Sequence, residues 1–503
     1  MANEPRRQIT LDKIHKWAGL AAALWLGILA ITGFLQLNQD WSWQWAGGLP
    51  ISERLTDSDD KHLWRYLQIN PANPRTRVVG GAAGAFLTND GGEHWRRLQF
   101  GPSSVRNVAA LEPAMINGQW SIVAATDRGV WRLDPGQSSF TPIGLQGQRV
   151  NALSVDGQTA VAAVGMSRVM RLPSILEATE WQPVRMGPPP AGPGAELDLG
   201  RLLQDIHMGR GVFGGMIDRI AWNITAIGLL LLALTGASYW LFLRGWTRSR
   251  MQPASQRPPK QALQRLQKAV RWSFRVHAMI IGIVLALPLL IIFTTGIYQD
   301  HRTDVQQVFR GILVPTWLQP PVYRAGSTWR GQVMNLASTH DAAGSLLVIG
   351  NRNGVFLSRG EGATWVRDAS FRGPAMRMRK IGDRLFVPGR MLRRVQVRDS
   401  GGWRLLEAPR PVVMANELSS GPNGRIWWVR GTQIMITDED GHMRGRRSQA
   451  LPQLGYMPWA SLAAELHRGT LISRQWKWIN DLAALLGLTL VVTGFLRWRR
   501  RRW

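Results

Sequence analysis

Four nearly uninterrupted apolar runs punctuate an otherwise polar and basic chain, at 17–37, 220–243, 278–298 and 479–496. Each holds about 18 to 24 residues, enough at about 1.5 Å per residue to cross roughly 30 Å of hydrocarbon. A helix satisfies its own backbone donors and acceptors in lipid. The pattern therefore predicts membrane helices over 17–37, 220–243, 276–298 and 479–496. Between them lie long polar stretches at 38–200 and 299–460, and shorter interfacial segments at 201–219 and 461–478. The expected class is a membrane α-helical protein of four helices, duplicated two plus two, with all-β segments outside the bilayer.

The first run is too long for a cleaved leader, and no small-x-small cleavage site follows it. Trp41, Trp43 and Trp45 come next and read as an interfacial aromatic belt. Charge then predicts orientation. The connection 244–275 carries nine Lys or Arg and no acid, the 497–503 tail is basic, and residues 1–16 hold Arg6, Arg7, Lys13 and Lys16. Four spans put all three on one side, which the positive-inside rule makes the cytoplasm of a bacterial inner membrane, with both termini there and the long segments in the periplasm. The net charge of +28 is thereby explained by topology and by anionic lipid headgroups, and no nucleic-acid partner is expected. The absence of cysteine excludes disulfides, iron–sulfur ligation by thiolate and thioether-attached haem.

The membrane runs repeat. His15 precedes Thr32-Gly33 by a run of 18 residues to the glycine, and His277 precedes Thr295-Gly296 by 19. His207 and Thr235-Gly236 are 29 apart, and His467 and Thr493-Gly494 are 27 apart, again counted to the glycine. The extramembrane halves repeat on a finer scale. Aligning Gly84, Gly129 and Arg168 gives spacings of 45 and 39, and aligning Gly354, Arg394 and Gln433 gives 40 and 39. Such a period with Gly/Asp turns predicts propeller blades, three from each half closing one six-bladed ring; two separate β-domains are the alternative. Thr88, Asp90, Gly92 and Trp95 resemble the Asp-box hairpin of sialidase-like propellers. Ser358, Gly362 and Trp365 form a weaker copy. This is turn chemistry, in which side-chain oxygens bind turn amides, and it is not catalytic.

Nine histidines are present. His62, His94, His340 and His442 fall at polar, turn-like positions and read as surface residues. The other five lie at membrane boundaries, where an ionisable group is a functional candidate. Neutral imidazole is a good axial ligand for haem iron, and a helical bundle can hold a macrocycle between facing helices. His15 with His277, and His207 with His467, would hold two b-type haems at opposite faces, with His301 as a possible extra ligand. The alternative is that the histidines only meet headgroups. His207 and His467 stand well before their apolar runs, so Gly209, Gly211, Gly214, Gly215 and Gly469 are expected to bend the chain back along the surface.

The His-x-Trp-x-Gly-Leu stretch from His15 and the Leu/Ile-His-x-Gly stretches at His207 and His467, each with a distal Thr-Gly, resemble the PepSY-associated transmembrane helix family. That resemblance covers a quarter to a third of the chain. It implies a di-haem siderophore or ferric reductase of the inner membrane, with His15, His207, His277 and His467 as iron ligands. The chain departs from the family in having propeller-like repeats where many relatives have PepSY domains, and helix three lacks the Trp.

No dinucleotide-binding glycine pattern, Walker A loop or His-Glu-x-x-His occurs. Asp57, Asp59, Asp60 and Asp90 fall in turn-like stretches, and no catalytic residue is assigned. No helix interior carries a charge, which argues against transport. The leading expectation is outward electron transfer to ferric iron or a ferric siderophore, with a quinol or a cytoplasmic reductase as donor. The alternative is a membrane-anchored scaffold that binds a periplasmic protein and has no redox activity.

Overall fold

The computed structural model describes residues 4–50, 64–102, 107–177, 180–190, 197–324, 328–341, 344–359, 362–371, 373–388, 394–399, 402–407, 417–430, 433–448, 450–471 and 473–501. The chain divides into two compact units. One comprises Met1–Gln39, Leu197–Pro321 and Ala460–Trp503; the other comprises Asp40–Glu196 and Val322–Trp459.

The first unit is helical. Helix α1 is Glu4–Leu37, while the single turn α2, Trp43–Ala46, belongs to the other unit. Then follow α3 (Leu199–His207), α4 (Gly215–Met251), α5 (Lys260–Phe274), α6 (Gly282–Asp300), α7 (Arg302–Arg310), α8 (Trp459–Arg468) and α9 (Lys477–Arg501). A π-helical stretch, Arg275–Ile281, joins α5 to α6 without a break. Among the described residues, four helical stretches are long and apolar enough to cross a membrane: Leu11–Leu37, Gly215–Met251, Lys260–Asp300 and Lys477–Arg499. The basic connection 244–275, expected as a loop, is helical except around 252–259, because its only prolines are Pro253, Pro258 and Pro259.

The four stretches bury a narrow seam and leave their outer faces apolar. Ala22, Leu26, Leu285, Leu289, Phe293, Ala483 and Ala484 pack together inside. Leu24, Leu234, Leu287 and Leu485 are exposed on the outside, an apolar surface that suits helices long enough to cross a membrane. Small residues set the spacing: a methyl group on Gly228 would stand 2.0 Å from Leu285, and one on Gly487 would stand 2.6 Å from Phe293.

The second unit is β. Among the described residues it contains six sheets, each an antiparallel meander of four strands; the second adds a short parallel strand, Gln99–Phe100. Their first strands are Tyr66–Ile69, Val108–Ile116, Val150–Asp156, Asn335–Asp341, Arg379–Ile381 and Glu417–Ser420. Each first strand touches the next in this order, and the last touches the first. Six apolar clusters lie between successive sheets, and the sixth packs Trp427 and Ile434 against Leu67 and Phe86 of the first sheet. Strand residues alternate in direction, so Trp427 faces the first sheet while Trp428 faces the fifth. A two-stranded pairing of Gly48–Leu49 with Met457–Pro458 ties the two ends of the unit together.

The six positions aligned by the repeat, Gly84, Gly129, Arg168, Gly354, Arg394 and Gln433, each open the third strand of a sheet. The Asp90 turn folds as its residues dictate. The Thr88 hydroxyl donates to Asp90 Oδ1 at 2.6 Å, and the backbone N–H groups of Glu93 and His94 donate to the carboxylate at 2.9 and 3.1 Å. Trp95 Nε1 donates to the Ala450 carbonyl at 2.9 Å. In the second copy, Gly362 N–H donates to Ser358 Oγ at 3.1 Å and Trp365 is buried. The Thr88 hydroxyl and the His94 and Glu93 donors hold the Asp90 carboxyl well below the usual carboxylate range. A depressed value means that the turn's stabilisation is present above the unfolded value of about 4 and is lost only as pH falls through the lower folded one. Amide exchange at Gly92–His94 should thus stay slow from pH 7 down to about 4, and Asp90→Ala should accelerate it several-fold at pH 7.

Candidate functional site

Each of the four boundary histidines rests on a Thr-Gly step of a different helix. His15 of α1 places Nδ1 2.8 Å from Thr493 Oγ1 of α9, and His467 of α8 places Nδ1 2.9 Å from Thr32 Oγ1 of α1. His277 lies 3.1 Å from Thr235 Oγ1 of α4, and His207 of α3 lies 3.1 Å from Thr295 Oγ1 of α6. The glycine after each threonine leaves room for the ring. A methyl group on Gly33, Gly236, Gly296 or Gly494 would meet the facing imidazole Cε1 at 3.3, 3.1, 3.5 or 3.4 Å.

The hydrogen-bond direction follows from what the threonines do elsewhere. Each hydroxyl donates to the carbonyl four residues back: Thr32 to Ile28 at 2.7 Å, Thr235 to Leu231 at 2.6 Å, Thr295 to Ile291 at 2.8 Å and Thr493 to Thr489 at 2.6 Å. A hydroxyl has one proton. With that proton committed, Oγ1 accepts, so the imidazole donates from Nδ1. In a neutral ring this leaves the lone pair on Nε2. No hydrogen-bond partner of these four Nε2 atoms is found among the described residues.

The rings meet in two pairs. The centroids of His15 and His277 are 6.3 Å apart with planes at 82°, and those of His207 and His467 are 6.4 Å apart at 49°. Along the continuous α1, His15 and Thr32 are separated by about 25 Å of helical rise, which spaces the two pairs by nearly a hydrocarbon thickness.

Local chemistry fixes each ring. His277 sits inside the π-helical stretch, where the Gly282 N–H donates to the His277 carbonyl; such bulges re-aim side chains within a helix. His207 ends α3, and Gly209 at φ +64° turns the chain; His467 is next to last in α8, and Gly469 at φ +73° does the same. Side chains would be strained there, and a methyl group would stand 2.5 Å from Trp222 or 2.4 Å from Trp476. Asp218 completes the bend by accepting the N–H groups of Val212, Phe213 and Gly214 at 2.8 to 2.9 Å. Asp205, buried, binds Arg210 at 2.9 Å. On the other side, Asn480 donates to the His467 carbonyl at 3.1 Å and accepts from Trp25 Nε1 at 2.9 Å. Burial first, then the His467 ring, pushes His207 down to about 3, and burial pushes His467 down to about 4, so both rings are neutral at physiological pH.

His301 joins neither pair. Its Nε2 lies 2.6 Å from Asp481 Oδ2, its Nδ1 lies 3.6 Å from Asp304, and its ring packs on Trp478. The carboxylates, which the sequence pattern did not connect to it, occupy both nitrogens. His94 and His442 are exposed beside Asp90 and Asp438. His62, Asp57, Asp59, Asp60 and the side chain of His340 lie outside the described residues. Asp90, Glu93 and His94 come close enough to suggest a cation site. Asp90, however, is already spent on turn amides. The residues missed by sequence reasoning are the four threonines. Their signal is the recurrent Thr-Gly at a set distance from each histidine, whose hydroxyl serves an imidazole of another helix.

No family model matches the chain. No curated protein matches it. Solved structures similar to it include YCF48 from Cyanidioschyzon merolae, 8% identical over 77% of this chain and 85% of that one, with a TM-score of 0.32. An ancestral GH74 enzyme is 10% identical over 77% of this chain and 38% of its own, with a TM-score of 0.32. PorZ of the type-IX secretion system of Porphyromonas gingivalis is 8% identical over 78% and 32%, with a TM-score of 0.35.

Proposed function

We propose that the chain is a di-haem electron-transfer protein of a bacterial inner membrane, with both termini in the cytoplasm, passing electrons outward to ferric iron or a ferric siderophore. The observation that carries the reading is the pairing itself: two couples of imidazoles, each with Nδ1 engaged, Nε2 unpartnered among the described residues, and ring centres 6.3 and 6.4 Å apart. Two imidazoles bound to one metal through bonds of about 2 Å stand roughly 6 Å apart, centre to centre. Headgroup anchoring requires no such facing pairs. Haem iron, when bound, supplies reversible one-electron chemistry.

The chain's own contribution is positional. His15 and His277 would hold one site, His207 and His467 the other, and the apolar residues Leu26, Leu289 and Phe293 pack together in the same bundle and offer no competing polar group. The six sheets, ringed by their first strands, support a six-bladed β-propeller built from three sheets of each half, and this is where a periplasmic acceptor or protein partner would dock. A quinol or a cytoplasmic reductase is the proposed donor, meeting the basic face of α4 and α5.

The test is the visible spectrum of the purified protein from haem-replete cells, oxidised and dithionite-reduced. Two b-type haems per chain, reoxidised by a ferric chelate, are expected. A colourless protein would overturn the redox reading and favour the scaffold, and haem that ferric chelates do not reoxidise would remove iron as the acceptor.

A further inference from the structure

We infer that Thr32, Thr235, Thr295 and Thr493 are positioning residues that fix the tautomer and orientation of the four ligand histidines, and that each does so across the two halves of the chain. The inference rests on the haem reading of the same site. Its separate support is the geometry of the threonines. All four hydroxyls commit their proton to the carbonyl four residues back, and all four accept at 2.8 to 3.1 Å from an imidazole Nδ1.

The connections are exchanged. The first half, 1–250, carries His15 and His207, and the threonines that hold them, Thr493 and Thr295, both belong to the second half. The second half carries His277 and His467, held by Thr235 and Thr32 of the first. No histidine is held by a threonine of its own half. A hydrogen bond donated by Nδ1 makes the ligating Nε2 more electron-rich, which favours the higher oxidation state of a bound metal and fixes the ring about its Cβ–Cγ bond. Partners of this kind typically matter by about 10- to 100-fold in metal affinity or activity.

Thr295→Val removes the hydroxyl at nearly constant volume, Thr295→Ser keeps it, and Thr294→Val is the control. Thr294 donates to the Leu290 carbonyl at 2.8 Å on the same helix and, among the described residues, bonds to no imidazole. The readouts on each purified protein are haem per chain, the low-spin ferric electron paramagnetic resonance spectrum and a potentiometric titration. The expected result for Thr295→Val is a changed g-value set and a higher midpoint potential for one of two haems, or loss of that haem, with Thr295→Ser and Thr294→Val matching the parent. Thr295→Val spectra and potentials that superimpose on those of a haem-loaded parent would overturn the inference and leave the haem reading intact. So would a Thr295→Ser protein as altered as the valine variant. A parent protein without haem would overturn the functional reading itself.

Discussion

His207→Ala should yield a folded protein carrying one haem instead of two. The ring it removes is one of the two faces of the second pair, 6.4 Å from His467, and among the described residues no other His approaches that pair, since His301 is committed to Asp481. Alanine leaves a single imidazole and an opening where the ring stood. Loss of one of the two histidines that would hold that haem should cut its retention by at least about tenfold, so the reduced α-band absorbance per chain should fall by roughly half. The bundle should survive. His207 is the last residue of α3, Asp218 still caps the bend, and the lost contact to Thr295 is worth only about 1 kcal/mol. Haem extraction per mole of chain, alongside size-exclusion elution, checks both halves of the expectation. His15→Ala should produce the matching loss in the other pair, and the double variant a colourless protein. Two haems retained in His207→Ala would break the assignment.

Trp428→Ala should be the most damaging single change in the β unit. Its side chain is fully buried between the fifth and sixth sheets, against Phe386, Val397 and Leu418, and its Nε1 donates to Thr437 Oγ1 at 2.9 Å. Truncation forfeits the transfer energy and leaves a cavity, about 3–5 kcal/mol together, and orphans a buried hydroxyl. Because every sheet is held by two neighbours, loosening one interface loosens the ring of first strands as a whole. Thermal unfolding followed by Trp fluorescence should show a drop of many degrees. Val366→Ala, at a position 67% exposed, should change stability by no more than about 0.5 kcal/mol. Equal behaviour of the two variants would show that the buried Trp428 environment is wrong.

Much of the architecture was legible because its causes are local. An apolar run long enough for a bilayer declares itself, and the spacing of Gly84, Gly129 and Arg168 marked the third strands of three sheets because each meander repeats similar strand and turn lengths. The Thr88–Asp90 turn was readable from its own side chains. The histidines could be singled out, and even paired, from the repeat. What was not legible depends on which helix faces which. That Thr493 serves His15 follows from packing of α1 against α9, and that Thr32 serves His467 from the approach of α8 to α1, which no pattern within any of these segments reveals. The π-helical stretch at His277 is likewise a tertiary accommodation, and Asp481 found His301 across 180 residues of sequence.

The exchange of threonines between halves bears on how the protein is made. In order of synthesis the eight residues appear as His15, Thr32, His207, Thr235, His277, Thr295, His467 and Thr493. When the first three membrane-length helices have been made, His207 still lacks its facing ring, and His15 faces His277 without the hydroxyl that orients it. Neither site is whole until α8 and α9 arrive. On the di-haem reading, cofactor capture would therefore be a closing step of biogenesis, because a nascent chain stalled before residue 460 lacks both His467 of the second pair and the Thr493 that orients His15.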